Sequence, residues 1–156
     1  MSANLETVVV LAAGEGTRMK SATPKVLHEV AGRSLVGHVL HAVQSLTPKQ
    51  VRVVVGAGRE AVEAHLSEIA PKVTTVFQER RGGTGHATQL ALADTKLSGT
   101  ILILAGDTPL LTVNHYNSSL IFTTLVDLPP PFLPQNIQIQ LVMAALCVAM
   151  MGPCCG

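Results

Sequence analysis

Charge is what this sequence has least of. Of its 156 residues only 13% are charged, and the net charge is +1. Without a basic excess there is no broad phosphate-tracking surface, so no nucleic-acid partner is expected. Aromatic residues make up 3%, with no Trp, one Tyr and three Phe, which argues against a base-stacking platform. Cysteine is confined to Cys147, Cys154 and Cys155, too few and too late in the chain for a disulfide framework or a four-ligand zinc site. A long apolar run is also missing from the start. Met1–Thr7 carries no basic residue and contains Glu6, and Val8–Ala13 is too short for the core of a signal peptide or for a bilayer crossing. The expected location is cytoplasmic, with no membrane span. What is present is 47% hydrophobic residues, enough for one domain with a sizeable core.

The composition breaks near Thr112. Residues 1–112 hold all 11 Lys and Arg and 9 of the 10 acids, whereas residues 113–156 hold only Asp127. The later stretch also has 5 of the 9 prolines, including Pro129–Pro131, and all three cysteines. The chain therefore divides into an organised segment, 1–112, and a divergent low-charge tail, 113–156.

Within the first segment short apolar runs alternate with helical patterns. Val8–Ala12 is apolar and β-branched, followed at once by Gly14 and Gly16, as in a buried parallel strand that ends in a tight loop. Apolar residues at 35, 36, 39, 40 and 43 mark one helical face, with Ser34 as its N-cap. Val51–Val55 is a second strand, closed by Gly56 and Gly58. Val62, Leu66 and Ile69 mark a second helix, stopped by Pro71. Val73–Phe77 is a third strand, and the glycine-rich turn Gly82–Gly85 leads into a third helix to about Ala93. Ile101–Ala105 is a fourth strand, ending in Gly106 and Asp107. This alternation predicts an α/β, Rossmann-like, mostly parallel sheet with right-handed crossovers and helices on both faces. Ligands of such sheets bind beyond the carboxyl ends of the strands, and three of the four strand ends carry the residues of interest.

The loop Leu11-Ala12-Ala13-Gly14-Glu15-Gly16-Thr17-Arg18-Met19 is the most informative stretch. Small residues allow a ligand to approach the backbone, exposed N–H groups at such a turn hold anions, and Arg18 and Lys25 add fixed positive charge, with Pro24 stiffening the approach to Lys25. A polyphosphate cradle fits this pattern. A dinucleotide fingerprint does not, because Met19 stands at the third glycine position and Gly56 where an acid is wanted. A Walker A sequence is absent. Taken singly, a G-x-G is as readily a structural turn, Gln78 a surface amide, Gly83-Thr84-Gly85 a helix start and Asp107 a turn former. Their order along the chain is what sets them apart. His38 and His41 lie three apart on one helix, but no carboxylate or thiol accompanies them at ligand spacing. Of the five histidines before residue 112, only His86, just after the glycine turn, stands beside candidate site residues.

The glycine loop followed by Pro24-Lys25-Val26-Leu27-His28 resembles the sugar-phosphate nucleotidyltransferases, and among them the branch that transfers uridylyl to N-acetylglucosamine-1-phosphate. Gln78-Glu79 leading to Gly83-Thr84-Gly85-His86-Ala87, and Gly106-Asp107-Thr108-Pro109-Leu110, agree with it. The resemblance covers about residues 7–112. It implies that the backbone of Leu11, Ala12, Ala13 and Gly14 lies against base and ribose, and that Gln78 bonds the uracil edge with Gly83 and Thr84 completing the recognition. It further implies that Arg18 and Lys25 act on phosphates as the catalytic cations and that Asp107 binds Mg2+. An amide such as Gln78 offers both donor and acceptor to a pyrimidine edge. A carboxylate just after a strand can hold magnesium while waters and phosphates complete its shell.

The implied substrates are UTP and a sugar-1-phosphate, and the implied reaction gives UDP-N-acetylglucosamine, a cell-wall precursor, and pyrophosphate. The nucleophile is already anionic, so positioning and charge neutralisation are the main requirements. The alternatives are a non-catalytic nucleotide-binding remnant, or cytidylyl or guanylyl transfer to another substrate. The Pro24–His28 stretch favours the amino-sugar branch.

The sequence also departs from that family. In relatives the catalytic domain continues beyond the matched part, adding the sugar pocket and an asparagine metal ligand, and a left-handed β-helix acetyltransferase domain follows. After Thr112 there is no hexapeptide repeat, and no motif carries a metal role to Asn114, Asn117 or Asn136. The expectation is a truncated nucleotidyltransferase. Ile137–Met151 is apolar, and two readings of the tail follow: a helix that covers the sheet in place of lost elements, or residues appended by a frameshift or gene junction, which the loss of charge favours. With its partner half missing, the sheet is expected to leave one edge or face uncovered, giving poor solubility or self-association through the apolar tail.

Overall fold

The computed structural model describes residues 5–14, 16, 19–80, 82–95 and 100–110, and the strand backbone at 138–142. The strands are β1 (Leu5–Ala12), β2 (Glu29–Val30), β3 (Arg33–Ser34), β4 (Gln50–Val55), β5 (Thr74–Phe77), β6 (Thr100–Ala105) and β7 (Gln138–Val142). The helices are α1 (Leu35–Gln44), α2 (Arg59–Ile69) and α3 (Gly83–Leu92), with a 3-10 turn at Lys25–Leu27. Five strands form one sheet in the order β5-β4-β1-β6-β7, every pair parallel. β2 and β3 form a separate small hairpin.

The sheet is apolar on both faces, as a parallel sheet requires when helices cover it. Val8, Val10 and Ala12 of β1 point to one side and join Val36, Val39, Leu40 and Val43 of α1 and Val62 and Leu66 of α2. Val9 points to the other side, against Ala87, Ala91 and Leu92 of α3, with Ile101 and Ile103 of β6. Burying each such aliphatic side chain is worth about 1.5–3 kcal/mol, so the central strands supply most of the drive to fold. α1 buries seven of its ten residues, whereas α2 buries only Val62 and Leu66. Ile69, read from the sequence as part of the α2 face, is 41% exposed.

Ser34 is the N-cap of α1, as its position before the apolar pattern predicts. Its hydroxyl accepts from Gly37 N at 3.1 Å and also meets His65 Nε2 at 2.7 Å, which ties the start of α1 to α2. The polar end of α3 is tied down as well, since Arg52 Nη1 donates to Ala91 O at 2.8 Å.

Of the two readings of the tail, a covering helix or appended residues, the first does not hold over Gln138–Val142, which is a fifth parallel strand paired with β6 from Thr100↔Gln138 to Leu104↔Val142. The physical signal was the strict alternation Gln138-Ile139-Gln140-Leu141, a period of two that the longer apolar run after it obscured. The edge of β6 is therefore paired, not open. The remaining tail, 111–137 and 143–156, including the cysteines and the stretch expected to self-associate, lies outside the described residues.

The strand order places the switch point of the sheet at β1. From β1 the chain goes outward to β4 and β5, then returns to the other side at β6. The crevice at the carboxyl ends of β1 and β6 is where such a sheet receives ligands.

Candidate functional site

Two arrangements occupy the carboxyl edge of the sheet. The first is a charged pair. β1 runs out at Ala12 and β6 at Ala105, and their ladder is extended one step by Gly106 N donating to Leu11 O at 2.9 Å. That bond brings Asp107 to the switch point. Lys25 reaches the same place from the opposite direction. Val26, beside it, is 3% exposed and anchored in the α1–α2 core. The 3-10 turn is closed by Leu27 N donating to Pro24 O at 2.9 Å. Gly16 lies under the Lys25 stem, where a Cβ would stand 2.7 Å from Lys25 Cβ. So placed, Lys25 Nζ donates to Asp107 Oδ2 across the crevice. Both side chains are about one-third exposed, at 38% and 32%, and so remain open to a ligand.

The second arrangement is a cleft of about 520 Å³ at the ends of β1, β4 and β5, lined by Ala13, Gly56–Glu60 and Phe77–Glu79. Gln78 sits there because its N–H donates to Val55 O at 2.8 Å, continuing the β4–β5 ladder past the last strand residue. Its side chain is 8% exposed. The amide Nε2 lies 3.3 Å from Gly83 O and 3.1 Å from His86 Nδ1. The sequence reading gives this amide both a donor and an acceptor for a ligand, and here its nitrogen faces two protein groups.

The expected site residues thus fall into groups. Ala13 and Gln78 share the cleft, Lys25 and Asp107 share the crevice, and Gly83 and His86 hold Gln78. Leu11 and Ala12 are in β1, where Ala12 is buried in the core and only its backbone reaches the edge. Gly14 is exposed, and among the described residues a Cβ there would have no atom within 4 Å. Thr84 is exposed on the first turn of α3, its carbonyl accepting from Thr88 Oγ1 at 2.9 Å. Arg18 lies outside the described residues.

The sequence reading passed over the fourth strand end. Gly56, Ala57, Gly58, Arg59 and Glu60 follow β4 and form one wall of the cleft. The signal was available, since Gly56 and Gly58 stand where the carboxyl-end rule would look. Gly56 allows close approach to β1: a Cβ there would lie 2.7 Å from Ala13 O. Arg59 lies over the Phe77 ring at 4.7 Å from its centroid and closes that wall.

The donor set suits a hard divalent cation held lightly. Asp107 is a carboxylate at a strand end with its oxygen directed into the crevice toward Lys25. Among the described residues no cluster of three or more His, Cys, Asp or Glu could enclose a metal ion. A single carboxylate fits magnesium, which keeps waters and substrate phosphates as its other ligands. His38 and His41 are not part of such a cluster, and one ring nitrogen of His38 is bonded to Val30 O at 2.7 Å. Among the described residues no helix is long and apolar enough to cross a membrane.

Comparisons with known proteins bear on the family and the fold. The bifunctional protein GlmU of Streptomyces coelicolor is 60% identical over 107 residues, covering 67% of this chain and 22% of its own length. GlmU of Thermosynechococcus vestitus is 47% identical over 134 residues, covering 78% of this chain and 30% of its own length. The chain thus spans about a quarter of the length of these curated relatives. Among solved structures, a nucleotidyl transferase from Methanothermobacter superposes with a TM-score of 0.63 at 25% identity, over 74% of this chain and 56% of that one. The inositol-1-phosphate CTP transferase of T. maritima shares the fold, with a TM-score of 0.58 at 22% identity over 67% of this chain and 44% of its own. The family model for the MobA-like NTP transferase domain matches residues 8–121, which runs past the compositional break at Thr112. By its strand order, its glycine loop and this match over most of its length, the chain belongs to the MobA-like NTP transferase domain family.

Proposed function

We propose that this chain carries the nucleotide half of a uridylyltransferase that makes UDP-N-acetylglucosamine from UTP and N-acetylglucosamine-1-phosphate. The observation that carries the reading is the presence at one sheet edge of a cleft of about 520 Å³ lined by Gln78 and of a cation–carboxylate pair, Lys25 and Asp107. In the transfer, an oxygen of the sugar phosphate forms a bond to the α-phosphorus of UTP. The bond from that phosphorus to the bridging oxygen of the β-phosphate breaks, and pyrophosphate leaves with the electron pair. No proton need be removed from the nucleophile.

The residues have separate tasks in this reading. Base and ribose bind at the cleft through Gln78 and Ala13, with Gly83, Thr84 and the backbone of Leu11, Ala12 and Gly14 beside it. Lys25, with Arg18 of the glycine loop, neutralises charge on the phosphates, most strongly as it gathers on the leaving group. Asp107 would hold magnesium, which when bound supplies electrophilic charge and a template for the phosphates. A cation already held at the phosphates when the bond breaks needs no reorganisation at that moment, which is the source of its effect. The segment 1–112 bears these residues, and the low-charge stretch after it adds β7 to their sheet. The chain functions in the cytoplasm.

The test is pyrophosphate release by the purified chain given UTP, magnesium and N-acetylglucosamine-1-phosphate. Release supports the enzyme. UTP binding by calorimetry without release would select the nucleotide-holding reading, and release only with CTP or GTP would move the chain to another branch of the family.

A further inference from the structure

We infer that His86 is a positioning residue that fixes which face of the Gln78 amide a base can meet, and so sets the preference for uracil over cytosine. The inference rests on the nucleotide-site reading above.

The amide orientation is decided by its neighbours. Gly83 O, 3.3 Å from the amide, can only accept, so the atom facing it is Nε2 and not Oε1. The second Nε2 proton is directed at His86 Nδ1, 3.1 Å away. His86 must then accept at Nδ1 and carry its proton on Nε2. Both donors of Gln78 are thereby used inside the protein. Among the described residues Oε1 has no donor, and Gln78 lines the cleft, so an acceptor is what it offers a ligand there.

The consequence is chemical. On its pairing edge uracil has one donor, N3–H, between two acceptors. Cytosine has an acceptor at N3 and its donor on the exocyclic amine. A glutamine free to turn over serves either base by exchanging Oε1 for Nε2. A glutamine held with Oε1 outward pairs with uracil N3–H and opposes cytosine N3, unless cytosine shifts in the cleft to bring its amine across. Leaving the buried amide mismatched is the penalty that discriminates.

The fold also makes room for this lock. His86 lies on the first turns of α3, and its ring stacks beside Gly82, which precedes the helix. A Cβ on Gly82 would stand 2.6 Å from His86 Cβ and Cγ and 2.8 Å from Nδ1. Gly82 has φ −87°, which any residue adopts, so glycine is required here by the histidine ring and not by the backbone.

The experiment measures binding of magnesium UTP and magnesium CTP to the full chain by calorimetry and reads the ratio of the CTP dissociation constant to the UTP one. His86→Phe keeps a ring and removes the acceptor, and the ratio should fall about fivefold or more, the worth of one hydrogen bond. Gly82→Ala keeps the histidine and displaces it, and should lower the ratio in the same direction. His86→Asn retains an acceptor near the Nδ1 position and should hold the ratio within about twofold of the unchanged chain. If His86→Phe does not fold, the other two variants decide. Parallel weakening of both nucleotides with a constant ratio, or an Asn variant that behaves like Phe, overturns the inference and leaves the nucleotide site standing. Equal affinity of the unchanged chain for UTP and CTP does the same. An unchanged chain that binds neither nucleotide overturns the site and the inference together.

Discussion

Lys25 and Asp107, 82 residues apart in sequence, meet at the carboxyl edge of the sheet as a hydrogen-bonded ion pair. Each is the partner the other lacks before substrate arrives. In the proposed reaction Lys25 turns to a phosphate and Asp107 to a cation, so a metal–nucleotide complex replaces one pair with two new ones. The resting pair keeps both groups near their working positions.

Lys25→Met separates the role of this pair in stability from its role in binding. An ion pair this exposed is worth about 0–1 kcal/mol to the fold, so the urea midpoint should hardly move. A charge-assisted bond to phosphate is worth more, and UTP affinity should fall about tenfold or more. Calorimetry and urea unfolding on the same preparation check both, and a large stability loss with little loss of affinity would make Lys25 structural.

Metal and nucleotide should bind cooperatively. With Lys25 on its carboxylate, Asp107 is a poor ligand for a cation alone. UTP draws the lysine away and brings phosphate oxygens of its own. Magnesium titrations with and without UTP should show tighter binding with it, and Asp107→Asn should abolish the difference. Equal affinity in both titrations would mean that the pair does not compete with the cation.

Gly56→Ala tests the wall of the cleft that faces β1. Its new Cβ would press on Ala13 O, and the strands must part to admit it. The expected result is a stability loss of about 1–3 kcal/mol with weaker UTP binding, while Lys25 and Asp107 are untouched. Unfolding midpoints and calorimetry report the two effects.

Ser34→Ala should act on the fold alone. It removes the α1 N-cap and the partner of His65, and a loss of about 1–2 kcal/mol is expected in urea unfolding. UTP affinity of the folded fraction should be unchanged.

Removing residues 113–156 would strip β7 from β6 and leave a parallel edge unpaired. A lower unfolding midpoint and concentration-dependent aggregation are expected, measurable by circular dichroism and light scattering. If the shortened chain is instead more soluble and equally stable, β7 contributes nothing to the sheet and the tail is the source of self-association.

Periodicity and punctuation by themselves determined most of the frame. Apolar runs at 8–12, 51–55 and 101–105 are strands because a strand buried on both faces needs continuous hydrophobicity. Ser34 starts α1 because its hydroxyl can take an orphan N–H. The order of the glycine loop, Lys25, Gln78 and Asp107 marked the family resemblance. Tertiary structure alone decided the rest. Which strands are neighbours, and hence that Lys25 meets Asp107, depends on contacts between distant segments that no local pattern encodes. Gln138–Val142 became a strand because the β6 edge was there to pair with it. The donor–acceptor character of Gln78 could not be read from its type, because an amide has two faces, and only the positions of Gly83 O and His86 Nδ1 settle which one is left for a ligand.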